Sequence, residues 1–351
     1  MAAFRRTLKI VAEQGATLSR DEARGLITQI LAPLDGEESP ADLEIAALLT
    51  AMAVRGETAD ELTGVAEAMR SLAVPLPLTD EERAGLVDTC GTGGDGLGTF
   101  NISTGAALVA VAAGAHIAKH GNRAVTSRCG SADVLEALGV PVTLAPDAAV
   151  ACLRATGFMF LYAPALHPAL KRVQPVRRAL GFRTIFNLAG PLTNPAGAPA
   201  QVMGVYSETK LMLASEAMAR LGIDFGLVAH GRNGMDEIAL SVTDAALVRS
   251  GDGHPSVARM KYSPEMFGMK RAAVRDLMGG ATAAENAAIL EGIFAGERSA
   301  KRNIVVVNAA AALYVGRVAA SLEEGVQRAA EVIDSGAVRV KLAQLREFGK
   351  Q

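Results

Sequence analysis

Beyond about residue 85 the chain repeats one device: a short, almost wholly apolar run, then a longer Ala-rich stretch with helical periodicity. The runs are "GLVDTC", "AHIAKHG", "GFMFLYA", "QVMGVYS" and "FGLVAHG". Runs of this length suit strands, and their lack of polar alternation suits strands covered on both faces. The pattern therefore predicts an α/β region with a mostly parallel central sheet and helices packed against it. Upstream the texture is different. "TLSRDEARGLITQILA" opens with Ser19 and Glu22 at capping-box spacing, "ESPADLEIAALLTAMAVRG" offers Ser39 as N-cap and Pro40 at the first helical position, and "ETADELTGVAEAMRSLA" repeats the box with Thr58 and Glu61. No strand interrupts these helices, and "VPLPL" then breaks the pattern.

The division this implies is a small all-helical domain, residues 1–75, and a larger α/β domain, residues 76–351. A basic helical insert, "PALHPALKRVQPVRRALGF", is expected to pack back onto the first domain through about residues 168–188. The tail from Thr282 reads as mostly helical, with one strand-like run, "NIVVV", and a capping box at Ser321 and Glu324.

At 351 residues and 50% hydrophobic content the chain buries a large core. A net charge of −2 argues against a broad nucleic-acid footprint, so any anion site must be local. Cys90, Cys129 and Cys152 have neither zinc-site nor disulfide-framework spacing, and no apolar run approaches a signal peptide or a membrane span. A cytoplasmic protein with no membrane partner is expected.

"DTCGTGGDGLGTFNIST" places five glycines within eight residues, between a strand and a helix. Exposed backbone N–H groups beside a helix N-terminus form an anion cradle. It is not a Walker-type loop, because no lysine occurs between Asp88 and Ala118. "GTGGDG" matches the dinucleotide fingerprint, yet no acid stands between Gly96 and Ala132 to hold a ribose. That place is taken by Lys119, His120, Arg123 and Arg128, with Gly121 and Asn122 permitting a tight turn and Thr126, Ser127 and Ser131 supplying donors. This stretch reads as a second anion site. "GMDEI" puts Asp236 and Glu237 together at an expected loop-to-strand junction; the pair is either solvated or suited to a magnesium ion shared with a diphosphate. His167, Arg177 and Arg178 lie in the basic insert, where arginine suits a carboxylate.

"GTGGD", "FNIST", "KHGNRAV", "GSADVLEALG", "VRRALGFRTIFNLAGPLTNP", "GMDEI" and "NAAAALYV" occur in this order, and over almost its whole length the chain resembles the anthranilate phosphoribosyltransferases. The resemblance implies the nucleoside phosphorylase/phosphoribosyltransferase type of fold and a homodimer formed through the helical domain. It implies transfer of a phosphoribosyl group from phosphoribosyl diphosphate (PRPP) to the amine of anthranilate, with magnesium, in tryptophan biosynthesis. By position, Gly91, Gly94, Asp95 and Thr99 match the family's PRPP loop; Asn101, Ile102, Ser103 and Thr104 match the helix start beneath the diphosphate. Lys119, His120, Gly121, Asn122, Arg123 and Ala124, then Val125, Thr126, Ser127 and Ser131, match the second PRPP segment. Ser103, Asp236 and Glu237 match metal contacts. Gly91, Asn122 and Arg177 match anthranilate contacts, with His120, His167, Gly190 and Pro191 around them. Lys119 and Arg177 are the expected charge-stabilising and positioning groups, and His120 is a candidate proton acceptor. Asp95 is assigned to a ribose hydroxyl or to a metal-bound water.

The sequence departs from the family pattern at Cys129, at Leu97, and at Leu166 with Leu170, the last pair beside the expected acceptor tunnel. Three rival readings are a related phosphorylase or transferase with another acceptor, a dinucleotide-dependent oxidoreductase, and a non-catalytic PRPP-binding regulator.

Overall fold

The computed structural model describes residues 2–32, 39–124, 129–251 and 254–350. The N-terminal stretch forms α1 (Ala2–Gln14), α2 (Arg20–Leu31), α3 (Asp42–Arg55) and α4 (Ala59–Ser71). The reciprocal caps expected at Ser19–Glu22 and Thr58–Glu61 are both present. Glu61 does more than cap: it is fully buried, pairs with Arg55 at 2.5 Å and accepts the Leu18 N–H at 2.9 Å, which fastens α2, α3 and α4 at one corner. At α3 the expectation fails, since the cap is Ala41 rather than Ser39, and Pro40 stands outside the helix. Glu44 explains the shift, because its Oε2 accepts the Ala41 N–H at 2.9 Å and closes that end without a hydroxyl.

After α5 (Asp80–Ala84) the chain alternates as predicted: β1 (Leu86–Gly91), α6 (Ile102–Ala112), β2 (His116–Gly121), α7 (Ser131–Ala137), α8 (Pro146–Thr156) and β3 (Phe158–Tyr162). Short helices follow, α9 (Ala163–Leu166), α10 (Gln174–Leu180) and α11 (Ile185–Ala189), before β4 (Ala200–Gly204), α12 (Glu208–Arg220) and β5 (Phe225–Gly231). The sheet order is β3-β2-β1-β4-β5-β6-β7, where β6 (Thr243–Gly251) and β7 (His254–Tyr262) form an antiparallel hairpin on an otherwise parallel sheet. The chain builds outward from β1 in both directions, so β1 and β4 flank a topological switch point. In open sheets of this kind ligands bind there, beyond the carboxyl ends of the strands.

Four helices close the chain: α13 (Ala283–Phe294), α14 (Ala300–Val315), α15 (Leu322–Asp334) and α16 (Ala337–Phe348). The run "NIVVV", expected as a strand, lies inside α14. Ser299 caps that helix through the Arg302 N–H at 3.2 Å, and Ile304 to Val307 are each at most 1% exposed between α6 and α15. A β-branched run costs a helix a few tenths of a kcal/mol per residue, on the order of a tenth of what burying each side chain gains, so packing overrides propensity. At α15 Ser321 caps the Glu324 N–H, but Glu324 reaches past it to the Ala320 N–H.

Three apolar clusters carry the fold among the described residues, the smallest around Leu86, Ala118, Met159 and Leu161. One joins α6 and α14 to a face of the sheet. Another holds Ile45, Leu48, Leu62 and Val65 of the first helices together with Val173, Val176, Ile185 and Phe186, and with Met203, Val205 and Val228 of the sheet.

Candidate active site

Gly91 ends β1 and pairs in register with Gly204, which ends β4. A Cβ on Gly204 would stand 1.5 Å from the Asp236 carbonyl oxygen, and one on Gly91 would stand 2.6 Å from Asp236 Oδ2. The two glycines thus let the segment carrying the paired acids settle directly on the strand ends. From there Asp236 Oδ2 accepts the Gly93 N–H at 2.7 Å, and Glu237 Oε1 accepts the Ser103 N–H at 3.1 Å. Glu237 therefore caps α6, whose own N-cap Asn101 makes no side-chain cap and instead donates to the Cys129 carbonyl at 3.0 Å.

The acids do not sit at a loop-to-strand junction as expected. They lie in irregular backbone between β5 and β6. Asn308 of α14 replaces the missing strand partner, accepting the Ile238 N–H at 3.0 Å and donating to the Ile238 carbonyl at 2.9 Å.

The glycine loop turns through left-handed conformations at Gly93, Gly94, Gly96 and Gly98, with φ between 66° and 75°. Only glycine adopts these without strain. Asp95 Oδ1 accepts the Leu97 N–H at 3.0 Å, so this carboxylate braces its own turn. Beneath the loop, Lys119 is buried; its Nζ donates to the Thr89 carbonyl at 2.5 Å and lies 3.3 Å from Ser103 Oγ. Burial pushes the Lys119 pKa down, while the neighbouring carboxylates of Asp88 and Glu237 oppose that. Burial raises Asp236 to about 6 and Glu237 to about 8, and the mutual repulsion of Asp95, Asp236 and Glu237 adds to it. Among the described residues no three such side chains converge as a complete metal cage.

A cavity of about 260 Å³ opens here, lined by Gly91, Gly93, Gly94 and Asp95, by Thr99 and Asn101 to Thr104, and by Lys119 to Asn122, Ser131, Asp236 and Glu237. All of these but Gly93 were assigned to the site from the sequence. Cys90, Gly98, Phe100, Cys129, Gly130, Gly280 and Asn286 also line the cavity and were not. The signal for the last two is a second glycine pair, Gly279–Gly280, shortly before Asn286; the amide of Asn286 accepts the Gly280 N–H at 3.2 Å and donates to the Thr282 carbonyl at 2.7 Å. A larger groove of about 630 Å³, lined by Glu208, Thr209, Asp244, Arg259 and Lys261 among others, gathers neither the glycine loop nor the Asp236–Glu237 pair. The chemistry belongs to the smaller cleft.

Other expected residues are placed differently. Arg123 is bidentate on Glu136 at 2.6 Å, reaches Asp133 at 3.2 Å, and does not line the cavity. Asp133 also accepts the N–H groups of Ala124 and Gly130, each at 2.9 Å, and so closes the base of the second loop. Val125, Thr126 and Ser127 lie outside the described residues. His167, Arg177, Gly190 and Pro191 stand apart from the cavity lining.

Three of these four are linked to it. The rings of His120 and His167 lie 5.1 Å apart, both Nε2 atoms are buried without a partner, and the Gly190 carbonyl hydrogen-bonds His120. Burial and His167 hold His120 down at about 3, so its ring is neutral at pH 7. The Pro191 carbonyl accepts Gln201 Nε2 at 2.6 Å, and Gln201 reaches Asp88 Oδ2 at 3.2 Å. Arg177, on α10, stands 5.5 Å from the Phe186 ring and makes no ion pair among the described residues. A cation without a carboxylate partner can accept one from a ligand.

Residues 83–339 match the family described as "Glycosyl transferase family, a/b domain", and residues 7–73 match its helical bundle domain. The chain is 50% identical to the anthranilate phosphoribosyltransferase of Pelotomaculum thermopropionicum, over 95% of this chain and 93% of that protein. It is 48% identical to that of Solibacter usitatus over 97% of each. A crystal structure of the Thermus thermophilus enzyme superposes with a TM-score of 0.88 at 41% identity, covering 98% of this chain and 99% of the other. The Saccharomyces cerevisiae enzyme in complex with PRPP and Mg gives 0.85 at 26% identity, covering 99% and 98%.

Proposed function

We propose a working of the cleft from one premise: this chain belongs to the anthranilate phosphoribosyltransferase family. It transfers the phosphoribosyl group of PRPP to the amine of anthranilate, releasing diphosphate and forming N-(5-phosphoribosyl)anthranilate for tryptophan biosynthesis. The observation that carries the reading of the cleft is the left-handed glycine loop over a buried lysine and two half-buried acids, at the switch point of the sheet.

The glycine-loop amides at Gly91 to Thr99 and the start of α6, Asn101 to Thr104, take the diphosphate, and Lys119 adds a positive charge beside it. The loop from His120 through Ser131 holds the ribose phosphate end. Asp95 offers an oxygen to a ribose hydroxyl or to a metal-bound water. The donor set fits a hard cation: Asp236 and Glu237 are half-buried oxygen donors whose pKa values are raised first by desolvation and then by repulsion among the neighbouring carboxylates, and the Ser103 hydroxyl is at hand. Ser103, Asp236 and Glu237 would hold magnesium, which would supply charge neutralisation for the leaving diphosphate.

Arg177 grips the anthranilate carboxylate, and Gly91, Asn122, His167, Gly190 and Pro191 shape the space around the ring. So oriented, the amine attacks the anomeric carbon as the bond to diphosphate breaks, a step that positioning and preorganised charge accelerate. His120 accepts the amine proton afterwards. A depressed imidazole is a weak base, and a protonated arylamine is a correspondingly strong acid, so the transfer is matched.

Replacement of Arg177 by Ala is expected to raise the KM for anthranilate about 10- to 100-fold, the loss of a charge-assisted contact, with a much smaller change for PRPP. Equal changes for both substrates would remove Arg177 from the acceptor site.

The chain divides functionally at about residue 75 and works as a homodimer formed through the helical part. Leu43 and Val54, 84% and 83% exposed, lie three turns apart on one face of α3 and are apolar enough to be covered by a second copy. Among the described residues no helix is long and apolar enough to cross a membrane.

A further inference from the structure

Five of the eight residues from Gly91 to Gly98 are glycines, so apart from Leu97 against the core and the Asp95 brace at the Leu97 N–H the shape of the segment is set from outside. Asp236 pins it at the Gly93 N–H, and the Gly98 carbonyl accepts the Gly279 N–H at 2.9 Å. Thr92 is held twice, its N–H by the Gly204 carbonyl at 2.9 Å and its Oγ1 by the Tyr206 N–H at 3.1 Å. The remaining pin is Arg183, whose Nη2 donates to the Gly94 carbonyl.

Arg183 lies between α10 and α11, on the segment that also carries Arg177. Its guanidinium stacks on the Tyr206 ring, 4.1 Å from the centroid, and makes no ion pair among the described residues. Arg183, Tyr206, Thr92 and Gly94 therefore close a ring of contacts joining the acceptor-side segment, the end of β4 and the glycine loop. A planar guanidinium held between a ring face and a carbonyl is preorganised in a way that an ammonium is not.

We propose that Arg183 is a positioning residue for PRPP: it fixes the glycine loop against the α10–α11 segment in the shape that receives the diphosphate. This rests on the reading that the loop holds PRPP, so Asp95→Asn is measured beside it. Arg183→Ala raises the KM for PRPP about tenfold, the loss expected for a hydrogen bond from a charged donor. The KM for anthranilate stays within about twofold and the melting temperature is unchanged, because Arg183 is exposed and supports no core. Arg183→Lys keeps the charge and does not restore PRPP binding. Tyr206→Ala also weakens PRPP, and combining it with Arg183→Ala adds nothing further, since the ring acts through the guanidinium. The proposal is overturned by equal changes in both KM values, by no change in either, by full rescue with lysine, or by additive effects in the double variant. Should Asp95→Asn leave the KM for PRPP unchanged, the reading of the loop falls and this inference with it. Should Asp95→Asn raise that KM and Arg183→Ala not, only this inference falls.

Discussion

At the scale of single residues the site depends on atoms that are missing. Gly204 has no side chain, and the Asp236 carbonyl occupies the space a Cβ would need. Gly204→Ala is expected to push the 236–237 segment off the strand ends and to lower kcat/KM about 100-fold, since misplacement of about 1 Å costs that much, while far-UV circular dichroism stays native. Near-normal activity would show that the segment has room to move. The glycines, Ser103, Lys119 and the Asp236–Glu237 pair were legible in the sequence because each acts within a contiguous stretch whose chemistry is local. Arg183 and Asn308 were not. Arg183 is 89 residues from Gly94, and Asn308 is 70 from Ile238, so their roles exist only after the chain has folded. Arg123 shows the reverse: the sequence offers it as part of a basic anion site, whereas its guanidinium here pairs with Glu136, which lies 13 residues further on.

At the scale of elements, α14 was the segment misread. Its β-branched run imitates a strand, and the difference is decided by the helix and sheet surfaces that bury it, which no window of sequence contains. The parallel strands were legible because fully covered strands leave uniform apolar runs. β6 and β7 were not, since β7 is an edge strand whose residues are largely exposed and polar. The same α14 supports the site, because Asn308 satisfies both backbone groups of Ile238, the neighbour of Glu237. Asn308→Ala leaves a buried N–H and a buried carbonyl without partners and should cost about 2–4 kcal/mol in urea unfolding, with a fall in activity. A cost under about 1 kcal/mol would mean that water or a shifted backbone takes the place of the amide.

For the whole molecule the exposed face of α3 makes the strongest claim. In a two-fold interface each of Leu43 and Val54 is buried twice, at about 1.5–3 kcal/mol per side chain. Leu43→Asp with Val54→Asp is therefore expected to give a monomer by analytical ultracentrifugation while the cleft keeps its architecture. A dimer that persists would place the interface elsewhere. A second consequence lies in the shared apolar cluster, where α3 and α4 pack against α10, α11 and α12. Those later helices leave the ribosome about a hundred residues or more after the first ones, a delay on the order of ten seconds at ordinary elongation rates. Throughout that interval the nascent helices display an apolar surface with nothing to cover it. The arrangement makes the newborn chain a natural client for a chaperone that binds early, and it makes the first seventy residues a poor candidate for expression alone.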